Sequence, residues 1–290
     1  MKVQLYEEIV SEFKKFKGLS RDCAYMLIHK YPDVPATAIH GIISSEIRLK
    51  MMSARGRLSS RNVSYLDKYM TETNRPGVPT GIIVRMSAAL NVCPSFLARM
   101  ILEEYVETAG PPYTRADISK YMKDTTHIDN PRLAHEIYLC ILYDDRNGMI
   151  SDSFCSAVGF EYEVKLENYL QERNIPYLTE ENLKVQGYDK TPDIKLEVPI
   201  AVNGFVINWI ESKARFGTPS IHRSHLNKQY FSYWNRFGPG LVIYWFGFVE
   251  ELIESIEDKF IILDRFPEDI TYMNPLIELD NYQLDTEEES

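Results

Sequence analysis

The sequence has few cysteines and no pairs of them. Its four, Cys23, Cys93, Cys140 and Cys155, are scattered with no C-x-x-C spacing. This argues against a thiolate zinc site and a disulfide framework, and for a reducing compartment. No stretch of about 18 apolar residues occurs, so no transmembrane helix and no membrane partner are expected. The first residues, MKVQLYEEIV, carry no signal-peptide pattern. A glycine-rich phosphate loop is also missing, and Gly238-Pro239-Gly240 reads as a turn. Of six histidines, His222 and His225 lie three apart without further His or Cys nearby, and are expected at the surface.

What is present is a globular composition, 44% hydrophobic and 12% aromatic over 290 residues, with room for one large domain or two small ones. The net charge of −10 is unevenly spread. Residues 1–100 hold 15 Lys and Arg against 8 Asp and Glu, whereas residues 151–290 hold 12 against 25, including the acidic tail from Asp285. A basic N-terminal half either touches phosphate or is a solvated helical surface, and both readings stand.

Residues 1–145 show helical periodicity, with helices expected over 4–16, 20–30, 36–52, 59–72, 79–90, 94–107, 114–123 and 130–145. Ser20 and Thr114 are expected N-caps, and Pro32, Pro35, Pro76, Pro79, Pro111 and Pro112 punctuate the joins. Between Ile82 and Leu102 a helix ends in a tight Asn91-Val92-Cys93 turn and another starts at Pro94. This is a helix-turn-helix pattern that would offer Ser95, Ala98 and Arg99 to a groove, or else a plain packing unit. Arg48, Lys50, Arg55, Arg57 and Arg61 form a second basic cluster, again a backbone grip or a wet face.

A domain join is expected near 150, at Asp144-Asp145-Arg146-Asn147-Gly148, separating an all-helical domain (1–150) that binds nucleic acid or a partner from an α/β domain (151–290). In the second, the pattern gives helix 156–173, a loop with a short helical turn, strands 193–201 and 205–212, helix 223–237, strand 240–248, a helix near 250–257 and strand 259–264. Asn203-Gly204 between apolar runs is a hairpin signal. The run Leu241 to Phe248 is nearly all apolar, as in a strand covered on both faces.

The chemistry concentrates between Gly187 and Lys213. Asp193 follows Pro192, and the triplet Glu211-Ser212-Lys213 follows at the end of the next strand. Strand side chains alternate, so Glu211 and Lys213 share a face about 6.6 Å apart. Carboxylates hold a hard cation through oxygen, and a neighbouring ammonium orients a water or offsets phosphate charge. Upstream, Glu163 lies three and seven residues before Leu166 and Leu170, on their apolar helix face, where a carboxylate is costly without a partner. Downstream, Gln229 and Tyr233 are one helical turn apart. Tyr230, Phe231 and Trp234 read as core.

Pro-Asp, a hairpin and Glu-x-Lys resemble the signature of the restriction-endonuclease-like PD-(D/E)xK nuclease superfamily. The Gly159/Glu163 helix resembles the helix before that superfamily's first strand, and the Gln229-x-x-x-Tyr233 helix resembles one found in its RecB-like branch. Within it the likeness is tightest, over about 159–250, to an animal nuclease family that works with codanin-1, and looser before that, where CPSFLARMILEEY is clearest. The resemblance implies a mixed sheet flanked by helices and a Mg²⁺- or Mn²⁺-dependent phosphodiesterase. It implies metal ligands Asp193, Glu211 and the Ser212 carbonyl, with Glu163 binding the metal or its water. Lys213 would position the attacking water, and Gln229 and Tyr233 would support the site. Lys228 and Arg236 would contact the backbone of nucleic acid, DNA favoured, and the protein would occupy nucleus and cytoplasm. The rival reading keeps the fold and the codanin-1 partner but assigns a binding module with little turnover.

One conflict lies in the hairpin. A two-residue turn at Asn203-Gly204 would set Glu211 opposite Leu196 and turn Asp193 to the other face, where no shared metal site can form. A one-residue irregularity near Pro199, or a longer loop, is therefore expected.

Overall fold

The computed structural model describes residues 1–59, 63–109, 115–144, 146–254 and 259–273. The expectations for Arg61, Pro111, Pro112, Thr114, Asp145, residues 255–257 and the acidic tail fall outside these residues. The chain divides into two compact units. One is Met1–Phe160 with Ala214–Thr218, and the other is Glu161–Lys213 with Pro219–Ser290.

The first unit is helical among its described residues. Its elements are α1 (Val3–Lys15), α2 (Ser20–Lys30), α3 (Ala36–Ser59), α4 (Tyr65–Thr73), α5 (Ile82–Leu90), α6 (Pro94–Ala109), α7 (Arg115–Lys123), a 3₁₀ turn (Thr125–His127), α8 (Pro131–Tyr143) and the start of α9 (Met149–Glu172). The expected join near 150 falls inside α9. Ser20 is the first helical residue rather than the cap, which is Leu19.

Three carboxylates hold this unit's helix starts from a distance. Glu136 of α8 accepts from Gly81 N (2.8 Å) and Ile83 N (3.2 Å) at the start of α5. Glu104 of α6 accepts from Leu66 N at 3.0 Å and Ser64 Oγ at 2.8 Å at the start of α4. Asp144 accepts from Ser95 N at 3.1 Å at the start of α6. Helix N-termini leave unpaired N–H groups and favour negative charge, so each contact joins two elements by a charge-assisted bond. Gly41 lets the Ala214–Thr218 segment lie on α3, because a Cβ there would meet Phe216 Cβ at 2.6 Å.

The α5–α6 pair bends by 112° across its turn, and Asn91 takes the left-handed conformation (φ 54°) that the turn needs. For Ser95 and Ala98 the packing alternative holds. Both are buried, with Ser95 engaged by Asp144, because α6 is a central packing helix. Arg99 bonds Glu103 (3.2 Å) and Ser119 (3.4 Å) within the unit. In the second basic cluster, Arg48, Arg55 and Arg57 are exposed on α3, while Lys50 is half-buried and donates to Asn91 at 2.7 Å. No single helix among the described residues is long and apolar enough to cross a membrane.

The second unit is a six-stranded mixed sheet flanked by helices. After α9 come β1 (Tyr177–Thr179), α10 (Glu180–Val185), β2 (Ile194–Val202), β3 (Phe205–Lys213), α11 (Pro219–His225), a π-helical turn (Leu226–Tyr230), α12 (Phe231–Phe237), β4 (Gly240–Tyr244), α13 (Glu251–Glu254), β5 (Phe260–Leu263) and β6 (Ile270–Tyr272). The strand order is β1-β2-β3-β4-β5, with β6 also on β2. The β3–β4 and β4–β5 pairs are parallel and the others antiparallel. The short β1 and β6 gave no alternation to read, and the apolar run after β4 leaves the sheet at Trp245.

One sheet face packs Ile194, Leu196, Ile207, Ile210, Leu241 and Ile243 on Leu166 and Leu170 of α9. The other packs Trp209, Val242, Tyr244, Phe260 and Ile262 on Tyr230 and Tyr233. Gly240 is required beneath Trp209, since a Cβ there would fall 2.1 Å from the indole ring. Gly240→Ala should cost about 2 kcal/mol or more by overpacking. Gly56→Ala, which meets nothing within 4 Å on exposed α3, should stabilise by about 0.5–1 kcal/mol. Urea unfolding of both variants checks this, and equal effects would contradict it.

Candidate active site

The hairpin resolves its own conflict. Asn203 (φ 49°) and Gly204 (φ 80°) form the two-residue turn, and next to it Val202 faces Phe205 and Ile200 faces Ile207. That register would put Ile194 opposite Lys213. Instead the pairing shifts between Lys195 and Ile200, and Ile194 faces Ile210. The offset is three residues, not the one expected, but it is odd and so has the same consequence. It turns Asp193 to the face of Glu211 and brings the two together. The irregular stretch contains Pro199, which lacks the N–H a regular ladder needs.

Asp193 and Glu211 interlock through the backbone. Ser212 N–H donates to Asp193 Oδ2 at 2.7 Å, and Asp193 N–H donates to Glu211 Oε2 at 3.3 Å. The Ser212 amide and carbonyl point to the same strand edge, so the carbonyl oxygen also faces Asp193. Lys213 Nζ donates to Glu211 Oε1. Upstream, Thr191 Oγ1 donates to Glu180 Oε1 at 3.3 Å, and Glu180 N–H donates to the Asp193 carbonyl at 3.1 Å, which ties the Thr-Pro-Asp segment to the start of α10.

Glu211 is 1% exposed. Burial raises its pKa, and the Asp193 charge raises it further against the pull of Lys213. Burial likewise raises Asp193, opposed by Lys213 and the Ser212 amide. For Lys213, burial favours the neutral amine, but Glu211 and Asp193 outweigh it and its pKa rises. These charges are mutually dependent, and removing one strands the others.

Glu163 lies half-buried on α9, beside the fully buried Leu166. Burial raises its pKa, and the Asp193 and Glu180 charges add to this. Among the described residues it has no hydrogen-bond or salt-bridge partner. The donor set of carboxylates and one carbonyl suits a hard cation such as Mg²⁺, and an unneutralised Glu163 beside two more carboxylates is what such an ion would relieve. However, among the described residues no three His, Cys, Asp or Glu are gathered closely enough to hold a metal ion. Glu163 stands close enough to Asp193 to feel its charge, which suits either of its expected places, on the metal or beside the metal's water.

The remaining expected residues divide. Tyr233 is buried, with its ring 5.3 Å from Trp209. Burial raises its pKa, as do the Glu211 and Asp193 charges. Gln229 sits in the π-turn and contacts His225 Nδ1 at 3.0 Å. The π-turn adds a residue to the helix, so Gln229 is half-buried rather than on the buried face of Tyr233. Lys228 is exposed. Arg236 is not free for phosphate, because it pairs with Asp189 and donates to the Lys190 carbonyl at 2.9 Å. His222 is buried, not superficial. It contacts the Tyr244 hydroxyl at 3.1 Å, which contacts Tyr230 at 3.3 Å.

The sequence reading missed Trp245. Its indole N–H donates to Ser212 Oγ at 2.8 Å, and its backbone N–H donates to the Lys213 carbonyl at 3.0 Å. The signal available was its place at the carboxyl end of a parallel strand, where ligands gather in α/β sheets.

Fold and site together define a class: a mixed α/β domain whose parallel strands end in a buried cluster of two carboxylates and a lysine. A family model described as a protein of unknown function with a TPD sequence motif matches residues 129–266, which contain Thr191-Pro192-Asp193. The chain is 40% identical over 255 residues to CDAN1-interacting nuclease 1 of Xenopus tropicalis, covering 87% of this chain and 84% of that protein. It is 38% identical over 266 residues to the Danio rerio protein of that name (90% and 88% covered) and 36% identical over 254 residues to the Homo sapiens one (87% and 90%). The chain belongs to the CDAN1-interacting nuclease 1 family. No solved structure matches it.

His222 gives a pH test. Burial lowers its pKa from 6.5 to about 4, so the unfolded chain takes up its proton first as pH falls. Stability should be intact above about pH 7 and decline from about pH 6.5 toward 4, by up to roughly 3 kcal/mol. His222→Phe should flatten that part of the urea-unfolding profile, and an unchanged profile would contradict the assignment.

Proposed function

We propose that this protein is a divalent-metal-dependent nuclease, built on a restriction-endonuclease-like PD-(D/E)xK fold, that hydrolyses phosphodiester bonds in nucleic acid, DNA favoured. We further propose that it works with codanin-1, the partner that the relatives' name gives them. The observation that carries this reading is the odd register offset in the β2–β3 pair, which sets Asp193 beside Glu211 with Lys213 on the same face. A hairpin without function would have no reason to gather two carboxylates that repel each other.

Asp193, Glu211 and the Ser212 carbonyl oxygen would hold Mg²⁺ or Mn²⁺. Such an ion, when bound, polarises a phosphoryl oxygen and acidifies water. The chain supplies the rest. Lys213 is held in place by Glu211 and is charged at neutral pH, so it can orient the attacking water and offset charge building on the phosphoryl oxygens. Glu163, whose pKa burial raises with the Asp193 and Glu180 charges adding to it, can accept or release a proton of that water. Tyr233 and Gln229 brace the site from the helical side, and Lys228 offers a phosphate contact.

Purified full chain, given labelled DNA or RNA with Mg²⁺ or Mn²⁺, should cut it. Lys213→Ala and Asp193→Asn should each lower the rate at least a hundredfold while the far-ultraviolet circular dichroism stays that of the folded protein. A wild-type chain that cuts neither polymer with either ion, or an Asp193→Asn variant with full activity, would refute the proposal.

A further inference from the structure

One face of α9 carries Tyr162, Lys165 and Tyr169 at helical spacing, and Arg173 follows in the turn just past the helix's last residue, Glu172. It meets Trp245, Phe246 and Phe266 from beyond β4 and β5. The rings form a continuous row. Tyr162 lies 5.5 Å from Phe246 and 5.2 Å from Trp245, Trp245 lies 6.5 Å from Tyr169, and Tyr169 stacks on Phe266 at 5.0 Å. Two cations interleave. Lys165 Nζ sits 5.2 Å from the Tyr162 ring and 5.0 Å from Trp245. The Arg173 guanidinium sits 5.5 Å from Tyr169 and 5.2 Å from Phe266.

The row is fixed to the site. Trp245 bonds both Ser212 and Lys213, and Tyr162 precedes Glu163. Apart from the buried Phe266, these rings are half-exposed, and Lys165 is exposed. A core needs rings but not ammonium groups among them. A polymer of flat bases joined by phosphates needs both, spaced alternately, because bases stack on aromatic faces and phosphates take cations. The acidic charge of Asp193, Glu211 and Glu163 also makes nearby cations necessary if a polyanion is to reach the site.

We propose that this ladder binds single-stranded nucleic acid leading into the active site. The substrate class is then a strand with unpaired bases next to the bond cut. Lys165 releases the ring faces to a base and moves to the adjacent phosphate, and Arg173 exchanges its donation to the Tyr169 carbonyl (3.3 Å) and its pairing with Glu172 (3.7 Å) for a phosphate farther along. This inference rests on the nuclease reading for its meaning, but its test does not depend on cleavage.

Binding to the full chain is measured with chelator present, by fluorescence anisotropy of labelled oligothymidylate and of a duplex of equal length. The single strand should bind more tightly and quench Trp245 emission, a quench that Trp245→Phe removes. Tyr162→Leu should weaken binding about tenfold, as loss of one stacked base predicts, and Tyr162→Phe should restore it. Lys165→Gln with Arg173→Gln should lower the slope of log affinity against log salt by about 1.4, the value for two phosphate contacts on a single strand. A merely structural ladder would shift the melting temperature and leave that slope alone. Equal or tighter duplex binding, or variants that bind as wild type, would overturn the ladder while leaving the nuclease proposal standing. A chain that neither binds nor cuts any nucleic acid would remove both.

Discussion

The second unit depends on a mismatch between a turn and the strands it joins. Asn203-Gly204 makes the tightest hairpin turn, and a regular ladder from it would set Asp193 and Glu211 on opposite faces. The shift between Lys195 and Ile200 corrects this by an odd number of residues. The apolar pattern survives on both sides of the irregularity, because Ile194, Leu196, Ile200 and Val202 all still pack on the α9 face. The strand therefore keeps its core contacts while the residue at its end changes side. Pro199 helps by removing a ladder donor where pairing lapses.

The cluster formed in this way opposes folding. Asp193 accepts from the Ser212 amide and Glu211 from the Asp193 amide, and Glu211 has almost no solvent. Burial and repulsion both favour their neutral forms, and one lysine offsets only part of this. Packing elsewhere must hold the arrangement. Trp209 over Gly240, with Tyr230 and Tyr233 behind it, supplies a rigid wall on that face, and Trp245 pins the last residues of β3 from the other side. Costly charge on a rigid support is the usual relation between stability and function at a functional site. The first unit uses carboxylates in the opposite sense. Glu104, Glu136 and Asp144 each meet unpaired helix N–H groups, so there the negative charge joins helices.

Much of this was legible in the sequence because local signals and tertiary structure agree. Helix periods, the Asn203-Gly204 turn and the apolar β4 run located most elements to within a few residues. The need for an irregularity near Pro199, or a longer loop, followed from parity once the resemblance required Asp193 and Glu211 to meet, whereas its size did not, since any odd offset satisfies the same pattern. The misplacements share a cause: burial that spacing cannot report. Ser95 was left between facing a groove and packing, and it is buried and engaged by Asp144. His222 was read as surface and is buried against Tyr244. Arg236 was expected on a nucleic-acid backbone and is held by Asp189. Gln229 and Tyr233 shared a face only while the helix was taken as regular, and a π-turn leaves no mark in composition. The aromatic row was invisible because Trp245, Phe246 and Phe266 join α9 only through the fold.

The central claim is that Asp193 and Glu211, brought together by the register offset, form one binding place for a hard divalent ion. Isothermal titration of Mn²⁺ into the full chain measures this without requiring turnover. The account predicts a single site, lost in Asp193→Asn and in Glu211→Gln alike and retained in Arg236→Gln. Absence of binding to the wild-type chain, or binding that survives loss of both carboxylates, would contradict it.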